Sequence, residues 1–107
     1  MPFSSEYREV EPARAEIDQS TGLMVLEFGA NWCGHCQALS PTIAEQLNHR
    51  ADIRHVRVAD GRGKPLGRSF RVKLWPTLVF LQDGQVKAQL VRPSPDEVRQ
   101  AFDEFGR

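Results

Sequence analysis

The sequence predicts an α/β domain in which a central mixed β-sheet is flanked by helices, and three stretches carry the prediction. Leu23 to Phe28 is a nearly continuous apolar run bounded by Gly22 and Gly29, the pattern of a strand buried on both faces. Thr77-Leu78-Val79-Phe80-Leu81 and Gln85 to Val91 flank Asp83-Gly84, a strong turn signal between strand-like runs, so they read as a β-hairpin. Leu39, Ile43 and Leu47 recur at four-residue spacing beside Ala44, which is one face of a helix running to about Arg50.

The remaining elements follow in order. Tyr7 to Val10 is expected as a short edge strand. Pro12 suits the first turn of a helix that runs through Ala13, Ala15 and Ile17 towards Gly22. Pro41, which lacks an amide donor and crowds the preceding turn, is expected to kink or break the central helix early. Ile53 to Ala59 alternates imperfectly and is expected as a strand; Asp60-Gly61-Arg62-Gly63 is turn material, and Pro65 to Phe70 a short helix. The last helix is opened by Ser94-Pro95-Asp96-Glu97, a capping residue followed by Pro and acids in the first turn, with Val98, Ala101, Phe102 and Phe105 as its apolar stripe. The order is helix, strand, helix, strand, short helix, strand, strand, helix.

At 107 residues the chain holds one domain, 1–107, with no repeat or low-complexity tract, and 40% hydrophobic with 26% charged residues suits a packed core. Fourteen basic and fourteen acidic side chains cancel, so no whole-molecule field selects nucleic acid or an anionic membrane, and neither is expected as a partner. The charge is nonetheless uneven. Residues 50–73 carry Arg50, Arg54, Arg57, Arg62, Lys64, Arg68, Arg71 and Lys73 against Asp52 and Asp60, a net of +6, while the first 49 residues carry a net of −5. The basic run reads either as a solvated face or as a docking patch for an acidic partner. The N-terminal stretch has no basic start and apolar run of a signal peptide, and no apolar run approaches the ~20 residues of a membrane span. A cytoplasmic monomer is expected, or a periplasmic one if a signal has been removed.

The chemistry sits in Trp32-Cys33-Gly34-His35-Cys36, between a buried strand and a helix. Cysteines three apart close almost no loop, so bridging them adds little stability; the pair exists for chemistry or for metal. Free amides and the positive dipole end of a helix favour a thiolate at Cys33, the nucleophile of disulfide exchange, and Cys36 one turn later is placed to attack a mixed disulfide. Zinc is the rival, but it needs about four ligands and this chain has one such pair, with His49 and His55 not at ligand spacing. Haem attachment fails because Gln37, not His, follows Cys36.

Taken with Leu26 to Cys36, Pro41, Trp75-Pro76-Thr77 and Phe80-Leu81-Gln82-Asp83-Gly84, this motif resembles the thioredoxin family over about Leu23 to Phe105. The resemblance implies the thioredoxin fold and a dithiol–disulfide oxidoreductase without a bound cofactor. It implies that Cys33 attacks and Cys36 resolves, that Pro76 is a cis-proline, and that Trp32, Gly34, Trp75 and Pro76 border a groove for an extended substrate segment. Core packing is the alternative reading of both tryptophans. Glu27 takes the place of the family's buried acid. Desolvation is expected to raise its pKa, so that it passes a proton near neutral pH and serves, through water, as the base for Cys36; a Glu facing solvent is the alternative. Gly34-His35 resembles protein disulfide isomerase and the oxidant DsbA rather than the commonest thioredoxin motif, so a potential between about −270 and −120 mV is expected, unless His35 is a bystander in solvent. Gly29, Val56 and Val91 depart from the usual tryptophan, from a lysine paired with the buried acid, and from a groove glycine. These departures put a general partner range and a thioredoxin-reductase-like electron donor in doubt. An adaptor or co-chaperone module with sensing cysteines is the reading from another class.

Overall fold

A computed structural model describes residues 3–107. The elements are α1 (Arg14–Asp18), β1 (Leu23–Gly29), α2 (Gly34–Asn48), β2 (Ile53–Ala59), α3 (Pro65–Ser69), β3 (Thr77–Gln82), β4 (Gln85–Val91) and α4 (Pro95–Glu104). They form one sheet in the order β2-β1-β3-β4, with β1 and β2 parallel and both other pairings antiparallel. The mixed sheet flanked by helices is the architecture expected.

Alternation along β1 and β2 builds two cores. Met24, Leu26 and Phe28 with Val56 and Val58 pack against Ile17, Leu66 and Phe70 of the α1 and α3 side. Val25 and Ile53 pack with Leu39, Ile43 and Leu47 of α2 and Val98, Phe102 and Phe105 of the α4 side. Because both faces are covered, neither strand alternates with polar residues in the manner of a half-solvated sheet. The positions that broke the apolar pattern, Glu27, His55 and Arg57, are therefore buried too.

The hairpin forms as predicted, with left-handed Asp83 (φ 52°) and Gly84 (φ 78°) at its turn. Gly84 is needed on a second count, since a Cβ there would lie 2.0 Å from the Asp18 carbonyl oxygen. The last helix starts with a capping box: the Ser94 hydroxyl accepts from the Glu97 amide at 3.2 Å, and the Glu97 carboxylate accepts from the Ser94 amide at 2.9 Å.

Several boundaries differ from those expected. Helix α1 begins at Arg14, with Ala13 as N-cap, so Pro12 lies outside the helix rather than in its first turn. Tyr7 to Val10 forms no strand; a single bridge joins Arg8 to Val58, because Asn31 and the β2 edge hold only the backbone on either side of it. Helix α2 runs unbroken through Pro41 to Asn48, since one missing amide costs one bond and the flanking apolar contacts of Leu39 and Ile43 hold the helix on the sheet. Helix α3 ends one residue early, at Ser69.

Candidate active site

Strand β1 ends at Gly29 and the chain enters α2 at Cys33, its N-cap, whose Sγ accepts from the Cys36 amide at 3.3 Å. Both cysteines are free thiols in a small buried cluster with Tyr7, Ala30 and Ala59, against which Trp75 packs. Burial, and then the hydrogen bond with Cys33, push the Cys36 thiol up to about 11. One thiol at the helix N-terminus beside a second whose pKa burial has raised is the asymmetry that disulfide exchange by a cysteine pair needs.

The surface above is apolar. Trp32 is 77% exposed, which removes core packing as its role, and its ring meets the edge of Trp75 at 5.5 Å between centroids. Trp75 is half-buried and fixed by its indole N–H, which donates to Asp60 Oδ2 at 2.9 Å. The Trp75–Pro76 peptide bond is cis. Arg92 clasps the same segment, its Nε donating to the Trp75 carbonyl and its amide to that of Pro76, each at 2.8 Å. Gly34 and His35 are exposed on the first turn of α2, and among the described residues the His35 imidazole makes no hydrogen bond.

Beneath the cysteines lies a polar network that the sequence reading caught at one residue only. Glu27 is fully buried. Its Oε1 accepts from His55 Nε2 at 2.9 Å, and its Oε2 accepts from Arg57 Nη2 at 2.9 Å and from the Tyr7 hydroxyl. The Ser4 amide donates to His55 Nδ1 at 2.9 Å, which assigns the ring proton to Nε2 facing Glu27. Arg57 also donates to Ser40 Oγ at 2.6 Å and to the Ser5 carbonyl at 3.0 Å, with its guanidinium over the Tyr7 ring.

Three expectations are corrected here. Burial alone would raise the Glu27 pKa, but the hydrogen bond from His55 and the charge of Arg57 outweigh it and hold the carboxyl below its ordinary value. Glu27 is thus ionised at neutral pH and carries no standing proton. The cation that pairs with the buried acid is present after all: Val56 faces the opposite core, and its neighbour Arg57, in register with Glu27, supplies the charge. Arg57, 2% exposed, also leaves the basic patch to which the sequence reading assigned it. Tyr7, His55, Arg57, Ser40 and Asp60 were not assigned to the site; His55 and Arg57, two apart in an apolar strand, were the available signal.

Gly29 has a steric reason. A Cβ there would meet Cys36 Sγ at 2.6 Å and the Tyr7 ring at 2.7 and 2.8 Å, so the sulfur and the ring occupy the space that a side chain would need.

The sequence profile of the thioredoxin family matches residues 8–104. The chain belongs to the thioredoxin family. It is 47% identical to thioredoxin 2 from Pseudomonas aeruginosa, solved in its reduced form, with a TM-score of 0.84 over 94% of each chain. It is 30% identical over 91 residues to a thioredoxin of Listeria monocytogenes, covering 84% of this chain and 88% of that one. A thioredoxin of Mycoplasmoides gallisepticum is 32% identical over 76 residues, 68% of this chain and 76% of that one.

With the family established and both thiols at the start of α2, this thioredoxin-family chain is a dithiol–disulfide oxidoreductase that works through its CxxC cysteines. An adaptor that merely senses redox state is not favoured. Among the described residues, no group of three or more His, Cys, Asp or Glu side chains is placed to hold a metal ion, and no helix is long and apolar enough to cross a membrane.

Proposed function

We propose that the chain exchanges electrons with protein disulfides by attack from Cys33 and resolution by Cys36, with Trp32, Gly34, Trp75 and Pro76 as the face that receives the substrate. The observation that carries this is the position of Cys33: it is the N-cap of α2, one turn from Cys36, in a cluster against which Trp75 packs, and Trp75 in turn meets the exposed Trp32. Attack forms a mixed disulfide with one substrate sulfur and expels the other as a thiolate. Cys36 then attacks Cys33 Sγ, closes the Cys33–Cys36 disulfide and releases the reduced substrate, two electrons having passed to it. Glu27 acts as an ionised acceptor for the proton of Cys36.

The exposed His35 on the first turn of α2 sets the potential, because an imidazole near the thiolate stabilises the reduced form and makes the disulfide more oxidising. A monomer in a reducing, cytoplasmic compartment, recharged by a reductase, fits the use of just two cysteines, both within the motif. Equilibration in glutathione buffers, followed by thiol alkylation, tests the direction. A potential near about −270 mV makes the chain a reductase, and one shifted towards about −120 mV makes it an oxidant or isomerase. Insulin reduction that persists undiminished in Cys33→Ser refutes the assignment of the nucleophile.

A further inference from the structure

Resolution requires Cys36 to lose a proton inside a cluster that excludes water, and this demand rests on the exchange reaction proposed above. The titratable groups around it can be named from every element packed there: Cys33 from α2 and Tyr7 from the segment before α1 share its cluster, and behind Tyr7 lie Glu27 from β1 and His55 and Arg57 from β2. Of these, Tyr7 meets both partners of the transfer: its hydroxyl donates to the Glu27 carboxylate, and its ring shares a buried cluster with the Cys36 sulfur. The residue is 5% exposed. Its backbone is clamped to the active-site loop, its amide donating to Asn31 Oδ1 at 3.1 Å and its carbonyl accepting from Asn31 Nδ2 at 3.4 Å. Its ring shares the space over Gly29 with Cys36 Sγ.

We infer that Tyr7 is a catalytic residue that relays the Cys36 proton to Glu27 during resolution. The direction of the hydrogen bonds supports this. His55 and Arg57 keep Glu27 ionised, so the carboxylate accepts the one proton of the phenol, which leaves the phenol oxygen with a free lone pair to take the Cys36 proton. The chain S–H···O–H···carboxylate is then set for a concerted shift. The thiol proton passes to the Tyr7 oxygen as the Tyr7 proton passes to Glu27, giving a Cys36 thiolate that accepts from Tyr7 and a neutral Glu27 acid. The thiolate attacks Cys33 Sγ, the Cys33–Cys36 bond forms, the bond to substrate breaks, and the departing substrate thiolate takes up a proton that Glu27 gives back to solvent. The tyrosine is neutral before and after. Because its surroundings favour the ionised carboxylate, Glu27 holds the proton only for the lifetime of the thiolate, and the carboxylate is regenerated for the next turnover.

The test is Tyr7→Phe in the full chain, which keeps the ring over Gly29 and removes the hydroxyl. The two steps are read separately by rapid mixing with insulin, acid quench and mass spectrometry. Attack by Cys33 is followed in a Cys36→Ser background, and resolution as decay of the Cys33 mixed disulfide. Tyr7→Phe is expected to slow resolution by on the order of a hundredfold at pH 7, the low end of what a positioned acid–base group supplies. The mixed disulfide accumulates, and the rate recovers about tenfold per pH unit as hydroxide takes the proton directly. Glu27→Gln should reproduce this, and the double variant should be no slower than either single one. Resolution slowed by less than about tenfold, or attack and resolution slowed alike as a packing defect would do, overturns the relay. Failure of the Cys36→Ser protein to form any mixed disulfide would overturn the exchange reaction itself.

Discussion

Replacing Glu27 by Leu strands a guanidinium in the core, and the size of the effect can be worked out from its surroundings. Glu27 and Arg57 are 0% and 2% exposed and meet at 2.9 Å, so neither has water to fall back on. Glu27→Leu removes the counter-charge and orphans two further donors, the Tyr7 hydroxyl and His55 Nε2. Breaking a buried pair from one side costs about 3–5 kcal/mol. In a domain of this size each kcal/mol moves the midpoint by roughly 4–8 °C, so a fall in Tm of about 12–40 °C is expected. Arg57→Met alone is also destabilising, because it leaves the carboxylate without its cation. In the Glu27→Leu background the same substitution should instead raise stability by about 1–2 kcal/mol, since it removes the orphaned charge and fills the space with an apolar chain. Urea unfolding of the four proteins, followed by circular dichroism, completes the double-mutant cycle. If Arg57→Met lowers stability by the same amount in both backgrounds, the charges are not coupled and the account of the buried network is wrong.

Two more expectations concern acid and the last helix. A carboxyl whose folded pKa lies below its ordinary 4.5 contributes stability that is present above that value and lost as pH falls through the folded one. The Tm of the native protein should therefore drop below about pH 4.5 more steeply than that of Glu27→Gln, and parallel curves would show that Glu27 is not the group responsible. Ser94→Ala removes the acceptor for the Glu97 amide at the start of α4 and should cost about 1 kcal/mol, measured by urea unfolding; an unchanged midpoint would mean that the cap is idle.

The elements legible in the sequence are those encoded by neighbours along the chain. The apolar run of β1, the Asp83-Gly84 turn and the Ser94-Pro95 start of α4 each announce themselves within a few residues, and their boundaries came out almost unchanged. The CxxC motif is local too. The network under it is not. The spacing of His55 and Arg57 hinted at a shared face, but only the parallel register of β1 and β2 sets Arg57 opposite Glu27 while Arg54 stays exposed, and that register is a property of the assembled sheet. The expected rise in the Glu27 pKa failed for the same reason, because burial could be read from the apolar neighbours whereas the partners could not. Tyr7 lay further out of reach: a lone aromatic in a polar stretch, it gains its position from Asn31 and from the empty space above Gly29. The glycine was visible as a departure from the family, but its reason required the ring that replaces the missing side chain.

The central place of β1 has a consequence for how the molecule comes into being. Its partners on the two sides are β2 and β3, and the second of these begins at Thr77. On a ribosome, Leu23 to Phe28 is made some fifty residues ahead of β3 and waits over that interval with one edge unpaired. Trp75, the partner that packs on the dithiol cluster, arrives just before that strand. The nascent chain therefore carries Cys33 and Cys36 as accessible thiols until Trp75 and β3 follow them, and closure of the sheet by β3 turns a sticky, oxidisable segment into a guarded redox centre.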